Sequence, residues 1–266
     1  MGQALWGRQI EDVCEIDANA KPLGKGSFGA VWRAKLKGDG RAAAVKVLDK
    51  RKMELMKVSP AQIHTEVELM RVCTGQRHFV QLYDFVDAQS SYFLVLECCD
   101  GGSLERIAKE GCTLSDAQVV RLMRQLLEGL AFLHSRDICH RDVKPHNAML
   151  LGRASSEHVC LKLGDFGIAT RVPRGRPLRE KTGSPAFMAP EMHLLPGRSL
   201  GYGCGVDLWA AGALMVFLFA HQYAFVDDSG RLMRDELLRG EVPIWEGSAF
   251  GGLFQRVAGL GTTRPP

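Results

Sequence analysis

The sequence predicts an α+β protein in two lobes, the first built mainly of strands and the second mainly of helices. Three observations carry this reading. The first third of the 266 residues runs in short strand-like segments rich in β-branched and small residues, interrupted by one helical stretch. From about Leu114 onward, apolar residues recur at helical spacing. The change falls at Cys98-Cys99-Asp100-Gly101-Gly102, which reads as a hinge. The predicted division is 17–97 for the first lobe, 98–102 for the hinge and 103–266 for the second. A cleft between two lobes is a natural ligand site.

The elements follow in order. Val31, Trp32 and Leu36 share one strand run, and Ala42 to Leu48 forms a second. Ala61 to Cys73 carries apolar residues at 63, 67, 69, 70 and 72, with Ser59-Pro60 as cap and first turn of a helix. Val80 to Val86 and Tyr92 to Glu97 are the third and fourth strands. Ser115 and Asp116 cap a helix whose stripe is 119, 122, 123, 126, 127, 130 and 133. Asp207 to Ala220 is apolar nearly all round, as a central buried helix is.

Composition excludes several classes. Hydrophobic residues make up 46% and charged residues 24%, the balance of an ordinary globular chain rather than a disordered or fibrous one. A net charge of +4 marks no dedicated nucleic-acid binder. None of the eight cysteines forms a C-x-x-C pair, which argues against zinc and for free thiols in a reducing compartment. Met1 to Glu15 lacks the apolar core of a secretory signal. Gly2 is a poor myristoylation site, because Trp6 stands where Ser or Thr is wanted. The longest apolar run, Leu208 to Ala220, falls short of the ~20 residues of a membrane span. A cytoplasmic or nuclear protein is expected, with its oligomeric state left open.

Chemistry-bearing motifs stand out against this background. Leu23-Gly24-Lys25-Gly26-Ser27-Phe28-Gly29 spaces its glycines so that backbone N–H groups can approach phosphate oxygens. Alone the pattern is weak, since a dinucleotide fingerprint or a flexible hairpin has the same glycines. The dinucleotide reading needs a following helix, and Ala30 to Leu36 alternates like a strand. Lys46 lies inside the apolar run Ala43 to Leu48, where it needs a counter-charge or phosphate unless it points to solvent. Glu66, twenty residues on, can supply the partner, with Glu68 as its rival on another helix face. His140-Arg141-Asp142-Val143-Lys144-Pro145-His146-Asn147 can hold an acid–base group and a metal ligand around a proline. Gly164-Asp165-Phe166-Gly167 offers a carboxylate to a hard divalent cation. Ala189-Pro190-Glu191 completes the set.

In this order and at these spacings, the motifs resemble a eukaryotic protein kinase domain over about Leu23 to Arg264. The resemblance implies a small antiparallel-sheet lobe with one main helix and a mostly helical second lobe. It implies ATP as substrate, Mg²⁺ as cofactor and protein hydroxyls as acceptors. Gly24, Gly26 and Gly29, with Leu23, Lys25, Ser27 and Phe28, would cover the nucleotide phosphates. Lys46, positioned by Glu66, would hold the α- and β-phosphates. Val31, Ala44 and Met149 would sandwich adenine, and the backbone of Glu97 and Cys99 would read its edge. Asp142 would orient and deprotonate the acceptor, Lys144 would steady the transferring group, and Asn147 and Asp165 would hold Mg²⁺. Met70, Leu82, His140 and Phe166 would stack as an apolar spine resting on Asp207.

Finer features narrow the class. Lys144, two residues after Asp142, and Gly183-Ser184-Pro185 resemble the serine/threonine type, with Ser184 placed to bridge Asp142 and Lys144. Leu23 to Val31, Tyr92 to Gly102 and Leu178 to Glu191 are similar to the calcium/calmodulin-dependent and calcium-dependent group. Glu180 stands where many kinases carry an activating phosphothreonine and can pair with Arg141. There are departures too. His146 replaces the usual glutamate of K-P-E-N, and Ser103 and Phe217 stand where arginine-directed members carry acids. His221 and Ala224 replace the usual Gly and Pro before Phe225. Asp227 to Leu232 lacks the glycine at loop position six and the later glutamate at position twelve of a calcium loop. Leu253 to Arg264 resembles the penultimate helix, whose arginine would pair with Glu191, and the family's last helix does not follow. The competing function, a nucleotide-binding scaffold without transfer, would require loss of Lys46, Asp142, Asn147 or Asp165, and all are present.

Overall fold

The computed structural model describes residues 9–241 except Ala18 and Arg174. The expected penultimate helix at 253–264, with its arginine partner for Glu191, and the Gly2 site lie outside the described residues. The chain forms two compact units that divide between Asp100 and Gly101.

The first unit is an antiparallel sheet with helices. Its strands are β1 (Cys14–Ile16), β2 (Gly24–Lys25), β3 (Gly29–Leu36), β4 (Ala42–Asp49), β5 (Leu82–Asp87) and β6 (Ser91–Glu97). The order is β1-β3-β4-β6-β5, with β2 paired to β3. On β4, alternation sends Ala43, Val45 and Val47 into one cluster with Ile10, Val86 and Val95. Ala44 and Lys46 therefore belong to the opposite face. Helices α1 (Lys50–Leu55) and α2 (Pro60–Val72) follow β4. Ser59 and Gln62 cap α2 reciprocally, and Pro60 fixes its first turn. Its buried residues are Ile63, Glu66, Val67, Leu69 and Met70, so one of the inward positions is charged.

The second unit is mostly helical. It contains β7 (Gly102–Ser103), α3 (Leu104–Lys109), α4 (Asp116–His134), β8 (Ile138–Cys139), β9 (Ala148–Leu151), β10 (Cys160–Leu163) and β11 (Thr170–Arg171). After them come α5 (Pro190–His193), α6 (Gly205–Ala220) and α7 (Arg234–Arg239). A small sheet runs β10-β9-β7, and β8 pairs with β11. Helices α4 and α6 pack together. Ser115 accepts from Gln118 N and Gln118 returns the bond, which starts α4 cleanly.

Several expectations need correction. Leu127, assigned to the buried stripe of α4, is exposed, while Val119, Leu122, Met123, Leu126, Leu130 and Leu133 are buried. The apolar arc is simply wider than the face that packs. The central helix begins at Gly205, and Leu208 and Met215 on it are exposed. Val80 is buried but precedes β5. Helices α1 and α3 are each six residues, too short to show a period in sequence. No described helix is long and apolar enough to cross a membrane.

Candidate active site

The first unit holds the glycine loop and the lysine. Strands β2 and β3 form a hairpin with Gly24 opposite Val31 and Lys25 opposite Ala30, leaving Ser27 and Phe28 at its tip. Leu23 N donates to Val31 O at 2.8 Å and Gly26 N to Gly29 O at 2.9 Å. A strand follows the glycines, so the dinucleotide fingerprint is excluded. The glycines differ in cause. A Cβ on Gly29 would lie 1.7 Å from Val47 O, so the sheet itself demands glycine there. At Gly24 and Gly26 no protein atom lies within 4 Å of such a Cβ. Packing does not require glycine at those two.

Lys46 sits mid-sheet between Val31 on β3 and Leu94 on β6. Its Nζ lies 2.7 Å from Glu66 Oε1, and that carboxylate is 2% exposed. Glu68 is exposed, so helix periodicity chose between the rivals. Ala44 is buried, Val31 half-buried and Leu23 exposed. The Glu97 carboxylate accepts from Gln81 N at 3.3 Å, while its own N–H donates to Gln81 O, which fixes the end of β6 next to Cys98 and Cys99.

The second unit holds the loop between β8 and β9. Asp142 is its centre. Its Oδ1 accepts from Ser184 Oγ at 2.9 Å, and its Oδ2 from Asn147 Nδ2 at 2.9 Å. Lys144 Nζ lies 2.8 Å from Oδ2 and donates to Ser184 Oγ at 2.8 Å. Ser184 therefore bridges Asp142 and Lys144 as its position suggested. The carboxylate is fixed on both oxygens in a half-buried setting.

Asn147 is buried, and its Nδ2 also donates to Asp142 O at 2.9 Å. Both amide protons are thus committed to Asp142, and the side chain keeps Oδ1 as its lone-pair oxygen. Its backbone O accepts from Gly164 N at 2.9 Å, tying this loop to Asp165. Asp165 is exposed with φ 61°, while Phe166 is buried against His140, ring centroids 5.0 Å apart. A carboxylate and an amide oxygen on linked, strained backbone fit a hard divalent cation.

A buried acid holds this loop from below. Asp207 on α6 accepts from His140 N at 2.9 Å, from Arg141 N at 2.8 Å and from His134 Nε2 at 2.9 Å. Arg141 has φ 66°, a costly conformation for a non-glycine residue that the Asp207 bond stabilises. Burial alone would push the Asp207 carboxyl up, but His134 and the two backbone N–H groups hold it below the usual carboxylate range. Burial likewise opposes the His134 imidazolium, and the Asp207 carboxylate outweighs it and raises the pKa.

Arg141 reaches the following segment. Its guanidinium donates to Ile168 O at 2.6 Å, Glu180 Oε2 at 2.9 Å and Tyr202 Oη at 3.3 Å. Tyr202 Oη donates onward to Glu180 O at 2.6 Å. Gly183 closes the segment onto the loop, since a Cβ there would lie 2.6 Å from Arg141 O.

Sequence reasoning missed three residues. His134 is a polar side chain ending a buried helix stripe, and that was its only signal. Tyr202 carried none. Glu105 lines a recess of about 310 Å³ with Lys144, His146, Ser184, Phe187 and Tyr223. Its carboxylate takes hydrogen bonds from Lys109 at 3.0 Å, His146 at 3.0 Å and Tyr223 at 3.1 Å. Asp227 closes a turn by accepting from Ser229 and Arg231 N, and no group of three or more His, Cys, Asp or Glu among the described residues could hold a metal ion.

The chain is similar in sequence to known proteins. The protein kinase domain family model matches residues 18–244. Calcium-dependent protein kinase 21 of Arabidopsis thaliana is 29% identical over 239 residues, covering 90% of this chain and 43% of the relative. Calcium-dependent protein kinase 14 of Oryza sativa subsp. japonica is 32% identical over 237 residues, 89% of this chain and 44% of the relative. The gamma catalytic chain of phosphorylase b kinase, liver/testis isoform, from Homo sapiens is 30% identical over 237 residues, 84% of this chain and 56% of the relative. The chain thus spans only about half the length of such relatives. With the match running through both units, the chain belongs to the protein kinase domain family.

Proposed function

We propose that the chain transfers the γ-phosphoryl group of ATP to serine or threonine hydroxyls of protein substrates, with Mg²⁺ as the metal, in the cytoplasm or nucleus. The observation that carries this is the Asp142 carboxylate, held by Ser184, Asn147 and Lys144 together. A carboxylate fixed on both oxygens can receive a hydroxyl proton without reorganising. Lys144 stands beside it to offset negative charge as it develops. Lys46, kept extended by Glu66, would meet the α- and β-phosphates, and Gly24 and Gly26 would let the backbone approach them. Asn147 Oδ1 and the Asp165 carboxylate would hold Mg²⁺, which when bound neutralises charge on the phosphate oxygens. Kinase names on the relatives support the same class of reaction.

Glu180 supports a further part of this reading. It already gives Arg141 a carboxylate at 2.9 Å, so transfer needs no phosphate on that segment. The test is transfer of labelled γ-phosphate from Mg-ATP to casein or myelin basic protein, with phosphoamino-acid analysis, beside Asp142→Asn. Phosphoserine or phosphothreonine formed by wild type and abolished in the variant is the expected result. A folded, ATP-binding wild type that transfers nothing overturns it.

A further inference from the structure

Two cysteines that transfer does not use lie against the support of the catalytic loop. Cys139 ends β8, immediately before His140, and Cys204 caps α6, three residues before Asp207. Cys139 Sγ lies 3.9 Å from Gly203 O, and Cys204 Sγ lies 3.6 Å from Ile138 O. Each thiol thus reaches the backbone of the residue preceding the other. Both pack in one apolar cluster with Met188, Met192, Tyr202 and Val206.

The pair is asymmetric. Cys139 is fully buried, while Cys204 is half-buried and meets solvent. Donation from the Cys139 S–H draws the Cys204 thiol down to about 7, against its burial and with help from His134. The same exchange, with burial, drives Cys139 up. A partly accessible thiol beside a fully buried one is the arrangement of an attacking and a resolving sulfur. Two other accessible thiols differ. Burial pushes the Cys98 thiol up, and Cys112 is exposed on the turn after α3.

We propose that Cys204 and Cys139 close a reversible disulfide behind the catalytic loop when the chain meets a hydroperoxide. The Cys204 thiolate attacks the terminal peroxide oxygen and the O–O bond breaks. Sulfur is oxidised to sulfenic acid, and the leaving oxygen takes a proton to become alcohol or water. The Cys139 sulfur then attacks the sulfenic sulfur, forming S–S and releasing the S–H proton and hydroxide as water. A dithiol restores both thiols. The S–S bond of about 2.05 Å is far shorter than a thiol contact, so closing it repositions the two side chains at the ends of β8 and α6. That displacement acts on the Asp207 bonds to His140 N and Arg141 N. The effect on transfer rests on the function proposed above, whereas the bond itself does not.

The test treats the whole chain with stoichiometric hydrogen peroxide, then alkylates, digests and weighs the peptides. Expected is a linked Cys139–Cys204 pair two hydrogens lighter, absent in Cys204→Ser and removed by dithiothreitol. Cys139→Ser should instead trap a dimedone-reactive sulfenic acid on Cys204. Wild-type transfer should fall at least fivefold on oxidation and recover with dithiothreitol, while Cys204→Ser keeps its rate. Sulfinic acid or unmodified thiol at Cys204, with no linked peptide, overturns the disulfide. A linked peptide with unchanged transfer overturns its control of the enzyme.

Discussion

The two units position their functional side chains by different means. In the first, strand register does it. Lys46 stands between Val31 and Leu94 because β4 pairs that way, and a slip of one residue would move it to the other face. In the second, no sheet sets the loop. Asp142 is placed by side-chain hydrogen bonds from Ser184, Asn147 and Lys144, and the loop backbone is hung on Asp207. Register is a cooperative property of many residues, whereas a hung loop depends on a few. Damage to single side chains should therefore be harsher in the second unit.

The largest expected stability effect tests that difference. Asp207→Ala leaves two backbone N–H groups and His134 without their acceptor. Thermal unfolding should show a loss of roughly 3–5 kcal/mol, on the order of 10 °C in midpoint. A loss under about 1 kcal/mol would break the comparison.

A step smaller, the glycine loop separates packing from binding. Gly29→Ala must displace Val47 O and should cost about 1–3 kcal/mol of stability. Gly24→Ala meets no atom, so stability should change by less than about 0.5 kcal/mol while KM for ATP rises. Equal stability losses at both positions would remove the distinction.

Glu180→Ala should lower transfer several-fold with almost no change in stability, because the carboxylate is 67% exposed. An unchanged rate would leave that pair without a role in activity.

The gentlest effect is one of pH. His134 has a raised pKa in the fold, so its contribution is fully present below about pH 6.5 and fades as pH rises through the raised value. Asp207 is lowered, so its contribution is lost only in acid, below about pH 4. Between pH 6 and 9, wild type should lose more of its midpoint than His134→Gln, and parallel curves would contradict the His134–Asp207 pair.

What was legible in the sequence follows the same division. Lys46 and its choice of Glu66 over Glu68 could be read, because periods of two and 3.6 decide faces without knowledge of neighbours. The motif residues around Asp142 were legible by type and order. Their anchors were less so. His134 lies 73 positions from Asp207 and Tyr202 lies 61 from Arg141, separations over which no period carries information. Glu105 was hidden for a similar reason, since its recess is assembled from segments more than a hundred residues apart. The stripe position Leu127 failed because apolar residues outnumber the places a helix face can bury.

One paired measurement bears most directly on the division of labour. ATP affinity and Mg-dependent transfer to casein would be determined for wild type, Asp142→Asn and Lys46→Met. The expected result is that Asp142→Asn keeps ATP affinity within a few-fold and loses transfer by roughly a thousandfold or more, while Lys46→Met weakens both. Transfer by Asp142→Asn at a rate near wild type would contradict the assignment of the proton-accepting role to the Asp142 carboxylate.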